Sequence, residues 1–350
     1  MAINLHEKYD KQIQTRFTQG SMIKGVLDNS YSFAGVKTVK ISSLVTVPMV
    51  DYVRNGSNRY GTPTEMQDTV QELTLTQDKS FSVTIDKGNN EDQNGIKGAG
   101  KVLARQIEEQ AIPTMDKYCF AKLAQKAGKI VGSGTALTKS NVCERITAGT
   151  TFMDDAEIPS EGRTLFVPSK TYAMLRLSEE FQKCDGMLET SLAKGQVGTY
   201  DNMRVVKVPE GRWPKDVNFI IVHKRAACAP VKLDDTKVHI DPPGISGNLL
   251  EGRQYYDLFV YGAKAKGVYV DVNTGSGAGT VCATPTLSAG VLASATSGAT
   301  VMYTKDGSDP RYSATAKVYT EKLTEESGTK ICAFAHKDGA FPSEVLEATM

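Results

Sequence analysis

Apolar residues along the chain change their spacing several times, and each change predicts a different element. Leu5, Tyr9, Ile13 and Phe17 fall at four-residue steps, ahead of a polar, glycine-broken stretch over residues 19–30. A stripe this narrow cannot build a core of its own. Residues 1–34 therefore read as an arm that must lie on another surface, and these four residues are candidates for contact between copies. Two alternating runs come next. Val39, Ile41, Val45, Val47 and Met49 share one face of the first, and Leu73, Leu75, Phe81, Val83 and Ile85 one face of the second. Alternation with β-branched enrichment predicts strands. RNGSNRYGTPT, residues 54–64, is dense in turn formers, so residues 35–94 read as one long hairpin. Pro48 cannot donate to a ladder and suggests an edge. Unless it folds back on its own domain, such a hairpin leaves apolar surface and strand edges open in a monomer. Arg54 and Arg59 near its tip are candidates for pairing with acids of another copy, with plain solvated charge as the alternative.

The period then becomes helical. In residues 96–127, Ile96, Ala99, Leu103 and Ile107 recur at helical spacing, and Ile112, Met115, Cys119 and Leu123 resume it beyond Pro113. Asn94 stands where an N-cap is wanted and Gly128 where a left-handed terminator is wanted. At 1.5 Å per residue the rod would run roughly 45–50 Å, with a kink at Pro113. A second helix is predicted over 141–152 with Ser140 as its cap, and a third from Ser169 to residue 181. Strands are predicted at 164–168, 203–208, 219–223, 232–240, 255–261 and 267–271. Helices and strands do not strictly alternate, so the body is α+β. NTGSGAGT, residues 273–280, is a flexible linker by composition. Residues 281–350, rich in Ser, Thr and Gly with short strands, read as a small all-β sandwich.

Composition narrows the picture. A chain of 350 residues exceeds the size at which single cores stop growing, so two or more domains are expected. Lys plus Arg number 41 against 40 Asp plus Glu, which leaves no strongly basic body of the kind a dedicated nucleic-acid binder needs. No apolar run approaches 18 residues, excluding a helical membrane span. The first residues lack an apolar signal region, so a cytoplasmically made chain is expected. The six cysteines show no CxxC pair, which favours buried thiols over a disulfide framework or zinc site.

Little in the sequence points to catalysis. Gly95 to Lys101 satisfies GxxxxGK, the frame in which backbone amides cradle phosphates. Val102 comes next, with no hydroxyl for Mg²⁺, and the preceding strand ends near Ile85 without a direct turn into the helix. A helix start built of small residues explains the motif better. Asp271, after three apolar residues, mimics a second nucleotide-binding acid only superficially. His223 and His239 lie at strand positions without an acid–histidine or cysteine pattern. Asp306 and Asp309 in DGSDP are weaker as Ca²⁺ ligands than as turn residues bonding local amides. No catalytic, cofactor or metal residue is singled out.

The order of parts carries a resemblance. An arm, a long hairpin, a long helix and a mixed α+β body resemble the major capsid proteins of tailed bacteriophages, with the Hong Kong 97-like fold that encapsulin nanocompartments share. EGRQYYDLFVYGAKAKGVYVDV, residues 251–272, is similar to that family's closing strands, and FIIVHKRAACAPVKL, residues 219–233, to one of its strand junctions. The resemblance implies an arm over 1–34, an extended loop over 35–94, and a spine helix with part of a peripheral domain over 95–139. A mainly axial domain would span 140–250, and 251–272 would return to the peripheral domain. MYTKDGSDPRYSATAKVYTEKL and KICAFAHKDGAFPSEV resemble the immunoglobulin-like domain at the C-terminus of chitobiases and β-hexosaminidases, an accessory module that implies no hydrolase.

Both resemblances together imply a structural, non-enzymatic virion protein, assembled in the host cytoplasm. Its copies would form hexamers and pentamers of an icosahedral shell around double-stranded DNA, without sequence-specific binding and without a membrane. Scaffold and portal proteins would be partners, and residues 281–350 would project outward to meet a surface glycan or host ligand. The arm begins almost at Met1, so the resemblance implies a separate scaffold or none. An encapsulin-type compartment is the alternative; a nucleotide-binding enzyme using Lys101 and a glycan-binding adhesin stand further off.

Overall fold

The structure, a computed structural model, describes residues 20–28, 38–44, 47, 49–55, 57–63, 65, 66, 68–92, 97–178, 196–275 and 278–350. Strands β1 (Thr38–Leu44), β2 (Asp68–Thr74) and β3 (Gln77–Asp86) come first, then helices α1 (Lys87–Asp92) and α2 (Ala99–Gln106). A π turn at Ile107–Ala111 joins α2 to α3 (Ile112–Gln125), and β4 (Lys129–Ser133), α4 (Val142–Asp155), β5 (Arg163–Pro168) and α5 (Ser169–Arg176) come after it. Next are β6 (Gln196–Tyr200), β7 (Met203–Val208), β8 (Val217–His223), β9 (Ala227–Cys228), β10 (Val231–Ile240), β11 (Gly247–Tyr256), β12 (Phe259–Val260) and β13 (Val268–Asn273). The C-terminal part holds β14 (Thr286–Ser288), β15 (Val291–Ala293), β16 (Thr300–Thr304), β17 (Lys317–Val318), β18 (Lys330–His336) and β19 (Leu346–Thr349).

The centre is a mixed six-stranded sheet in the order β4-β13-β8-β5-β7-β6. Strands buried on both faces read as unbroken apolar runs, and β5, RTLFVP, is buried along its whole length. Alternate residues feed two cores. Phe166, Ile220, Val222 and Val270 face α3, whose Phe120, Leu123 and Ala124 complete one core. Leu165, Val167, Phe219, Ile221 and Tyr269 form the other with Ile146 and Met153 of α4 and Leu175 of α5. Gly149 brings α4 close to the sheet: a Cβ there would lie 2.8 Å from the Ile221 side chain. Asn141, not Ser140, stands at the N-cap of α4, and Pro168 at that of α5.

Several expectations are corrected. Part of the predicted arm belongs to the chain's own core, since Met22, Ile23, Val26 and Leu27 are buried against α3 and Ala227. The predicted hairpin splits at Thr76. β1 pairs with β2 from Thr38↔Thr74 to Leu44↔Asp68, whereas β3 leaves to pair with β11 in a separate three-stranded sheet, β10-β11-β3. β10 is the outer strand of that sheet, and β13 lies inside the central sheet. The rod starts at Ala99 with Gly98 at its N-cap, and Asn94 lies outside the described residues. At the expected kink, the Ile112 N–H reaches Ile107 O across the π turn, and Pro113 sits in the first turn of α3, where its missing donor is tolerated.

The C-terminal strands form the sheet β17-β16-β18-β19 and the hairpin β14-β15 around Ile331, Ala333, Leu292 and Leu323. The segment before them is not a free linker where it is described. Asn273 N donates to Asp216 O, Thr274 N to Ser133 O, and Phe341 N to Thr280 O. Phe341 joins the main core instead of its own domain's.

Candidate assembly surfaces and their joints

The β1–β2 ribbon changes character along its length. Near its root, Val39 and Ile41 pack with Leu73, Leu75, Phe259 and Tyr261, while Thr38–Thr74 (2.8 Å) and Lys40–Glu72 (2.7 Å) pair across the opposite face. From Leu44 outward the described apolar residues are largely uncovered by the rest of the chain. Met49 is 100% exposed and Tyr60 87%, and Val50, Val53 and Met66 are each more than half exposed. The tip is nonetheless ordered by its own contacts. Val53 N donates to Arg59 O (3.0 Å), Gly61 N to Asn58 O (2.9 Å), and the Tyr52 and Tyr60 rings meet edge to face at 5.0 Å. Asn58 and Gly61 supply the left-handed backbone that the turn needs.

Buried carboxylates hold the ribbon and the helix to the body. Asp257, 1% exposed between β11 and β12, accepts from Thr76 N (3.0 Å), Thr76 Oγ1 (2.9 Å), Tyr118 OH (2.9 Å), Leu258 N (2.7 Å) and Lys122 Nζ. It joins the point where β2 passes into β3 to the middle of α3. Gln71 grips the same root: its Nε2 donates to Val260 O and its Oε1 accepts from Gly262 N, both at 2.9 Å. Asp116 of α3 accepts from Ser21 Oγ (2.7 Å), Met22 N (3.0 Å) and Arg212 Nη1 (3.0 Å), which fixes residues 20–22 to the helix. Burial outweighs these partners and holds its carboxyl above the usual range. Asp271 of β13 takes the Arg145 guanidinium and Asn218 Nδ2 (2.6 Å), and burial raises its carboxyl likewise.

The residues singled out from sequence fall in separate places. Leu5, Tyr9, Ile13 and Phe17 lie outside the described residues. Arg54 and Arg59 both lie exposed at the ribbon tip. The GxxxxGK frame does not form a strand–loop–helix turn, because α1 intervenes between β3 and Gly98, and Lys101 is exposed on α2. Asp271 is occupied by Arg145. His223 Nδ1 accepts from Arg225 N (3.2 Å), capping a 3-10 turn, and His239 pairs with Glu251 across β10 and β11 (3.2 Å). Asp306 accepts from Ser308 N and Thr315 Oγ1, and Asp309 from Arg311, the turn geometry expected. Among the described residues no group of three His, Cys, Asp or Glu is placed to hold a metal, and no helix is long and apolar enough to cross a membrane. Five described cysteines are buried free thiols. Sequence reasoning misses Asp116 and Asp257; Asp257 shows there only as a lone charge in the apolar run YYDLFV, and Asp116, next to Lys117, carries no signal.

No curated protein matches the chain. A family model described as the chitobiase/beta-hexosaminidase C-terminal domain matches residues 277–347. Among solved structures, one from Mycobacterium phage Che8 aligns with TM-score 0.63 at 18% identity, covering 79% of this chain and 100% of that one. The capsid structure of the Cyanophage P-SCSP1u aligns with TM-score 0.60 at 12% identity, over 77% and 93%. The asymmetric unit of the bacteriophage PhiM1 mature capsid gives 0.59 at 14%, over 78% and 92%. At these identities the likeness is one of fold. The chain thus shares the fold of phage capsid structures and, over residues 277–347, resembles the chitobiase/β-hexosaminidase C-terminal domain.

Proposed function

We propose that this chain is the major shell-forming subunit of a tailed-phage capsid. Its copies assemble into hexamers and pentamers of an icosahedral shell that encloses double-stranded DNA, with scaffold and portal proteins as partners in the host cytoplasm. The observation that carries the reading is the ribbon. Its root is built into the body through Gln71 and Asp257, while its distal half displays Met49, Val50, Val53 and Tyr60 to solvent. An ordered, apolar, projecting ribbon has a use only if something covers it. Burial of each such side chain contributes about 1.5–3 kcal/mol, so a neighbour that covers several supplies a substantial drive for assembly. The likeness in fold to capsid structures supports a second copy as that neighbour.

The test is a Met49→Ser, Val53→Ser, Tyr60→Ser variant examined by sedimentation velocity and circular dichroism. The expected outcome is a folded subunit with wild-type spectrum that remains in small species where the unaltered chain forms large ones. Particles of unchanged size and yield would contradict the role of the ribbon.

A further inference from the structure

We infer that the C-terminal domain is a clasp that fixes the spine helix against the root of the ribbon. This goes beyond the shell reading and applies to a single subunit. The first observation is at the end of α3, where a helix leaves its last carbonyls without partners. Three consecutive carbonyls, that of the C-cap Lys126 and those of Ala127 and Gly128 in the connection to β4, are taken by one turn of the C-terminal domain. Arg311 Nη1 donates to Ala127 O and Gly128 O, both at 3.0 Å, and Tyr312 OH donates to Lys126 O at 2.6 Å. A guanidinium also suits the negative end of the helix dipole. It is held in place by Asp309, whose Oδ2 lies 2.7 Å from Arg311 Nη2, and its side chain is only 7% exposed.

The second observation links the same turn to the ribbon. A Cβ on Gly262 would lie 2.9 Å from Tyr312 Cβ, so Tyr312 backs directly onto the Gly262 backbone. The Gly262 N–H is the one that Gln71 of β2 accepts. Tyr312 therefore touches both the last turn of the helix and the turn that grips the ribbon. The ion pair of Lys129 with Glu344 and the burial of Phe341 in the main core fasten the domain at two more points. A domain that only decorated the surface would need none of these contacts.

Hydrogen exchange by mass spectrometry on the full chain tests the clasp. Tyr312→Phe should speed exchange of the last-turn amides of α3 about fivefold, the loss of one hydrogen bond. Arg311→Ala should speed them more than tenfold and extend the effect to Gly262 and β2, while β18 keeps its protection. Lys305→Ala, which removes the domain's own pair with Glu325, should change neither site. Unchanged exchange at α3 and β2 in Arg311→Ala would overturn the inference, whatever happens in β18. Should Arg311→Ala unfold the chain, Tyr312→Phe decides alone: faster exchange at the end of α3 supports the clasp, and unchanged exchange overturns it.

Discussion

Asp257 shows what a single residue contributes to this molecule. One buried carboxylate serves donors from Thr76, Tyr118, Lys122 and the backbone of Leu258. Asp257→Ala would leave Lys122 and Tyr118 facing a void, and should lower the unfolding free energy by about 3 kcal/mol. Asp257→Asn keeps an acceptor and should lose about half of that, measured by urea titration of the two variants. Sequence reading passes over this residue because its partners lie as far as 181 positions away. His223 gives a pH dependence. Burial lowers its pKa below the ordinary 6.5, with Arg163, Arg225 and Lys264 acting in the same direction. The unfolded chain therefore takes up the proton first, so stability from this group is present above pH 6.5 and lost as pH falls through the folded value. Protonation at Nδ1 would also remove the acceptor of the Arg225 amide. Thermal melts at pH 7 and pH 5 should show a smaller acid-induced drop for His223→Gln than for the unaltered chain.

At the scale of elements, periodicity is a good guide wherever one face of an element is buried. The run from Leu103 to Leu123 shows its helix because α3 packs one stripe against the sheet. The central strands show themselves because both faces are covered. What the pattern misses is where an element changes partner. Leu73, Leu75, Phe81, Val83 and Ile85 keep one parity throughout, so nothing local marks the break at Thr76. The break is made by Asp257, which captures the Thr76 amide and hydroxyl. The first part of β11, GNLLEGRQ, carries two glycines and alternates poorly, and it is a strand because β3 and β10 flank it. Gly252 there sits opposite Phe81, whose ring would lie 2.3 Å from an added Cβ. Gly252→Val should displace that ring and destabilise the subunit by about 1–3 kcal/mol, with Phe81→Leu in the same background recovering part of the loss in urea midpoints.

At the scale of the whole molecule, the ribbon, the long helix and the mixed body that follows are legible in the sequence, because each has its own hydrophobic period. The attachment of the last domain is not. NTGSGAGT looks like a tether by composition, yet Thr274 bonds Ser133, and Arg311 and Tyr312 close on the helix end. Polar and glycine-rich segments reveal flexibility only when no surface receives them, and here one does. The result is a chain whose apolar ribbon extends from a body to which the C-terminal domain is joined by hydrogen bonds and a shared core. With a net charge of +1, many copies can pack closely without strong mutual repulsion. Electron microscopy of the purified full-length chain over a range of concentrations tests this account most directly. Closed shells, or the hexameric and pentameric pieces of them, are the predicted result; folded monomers at every concentration would contradict it.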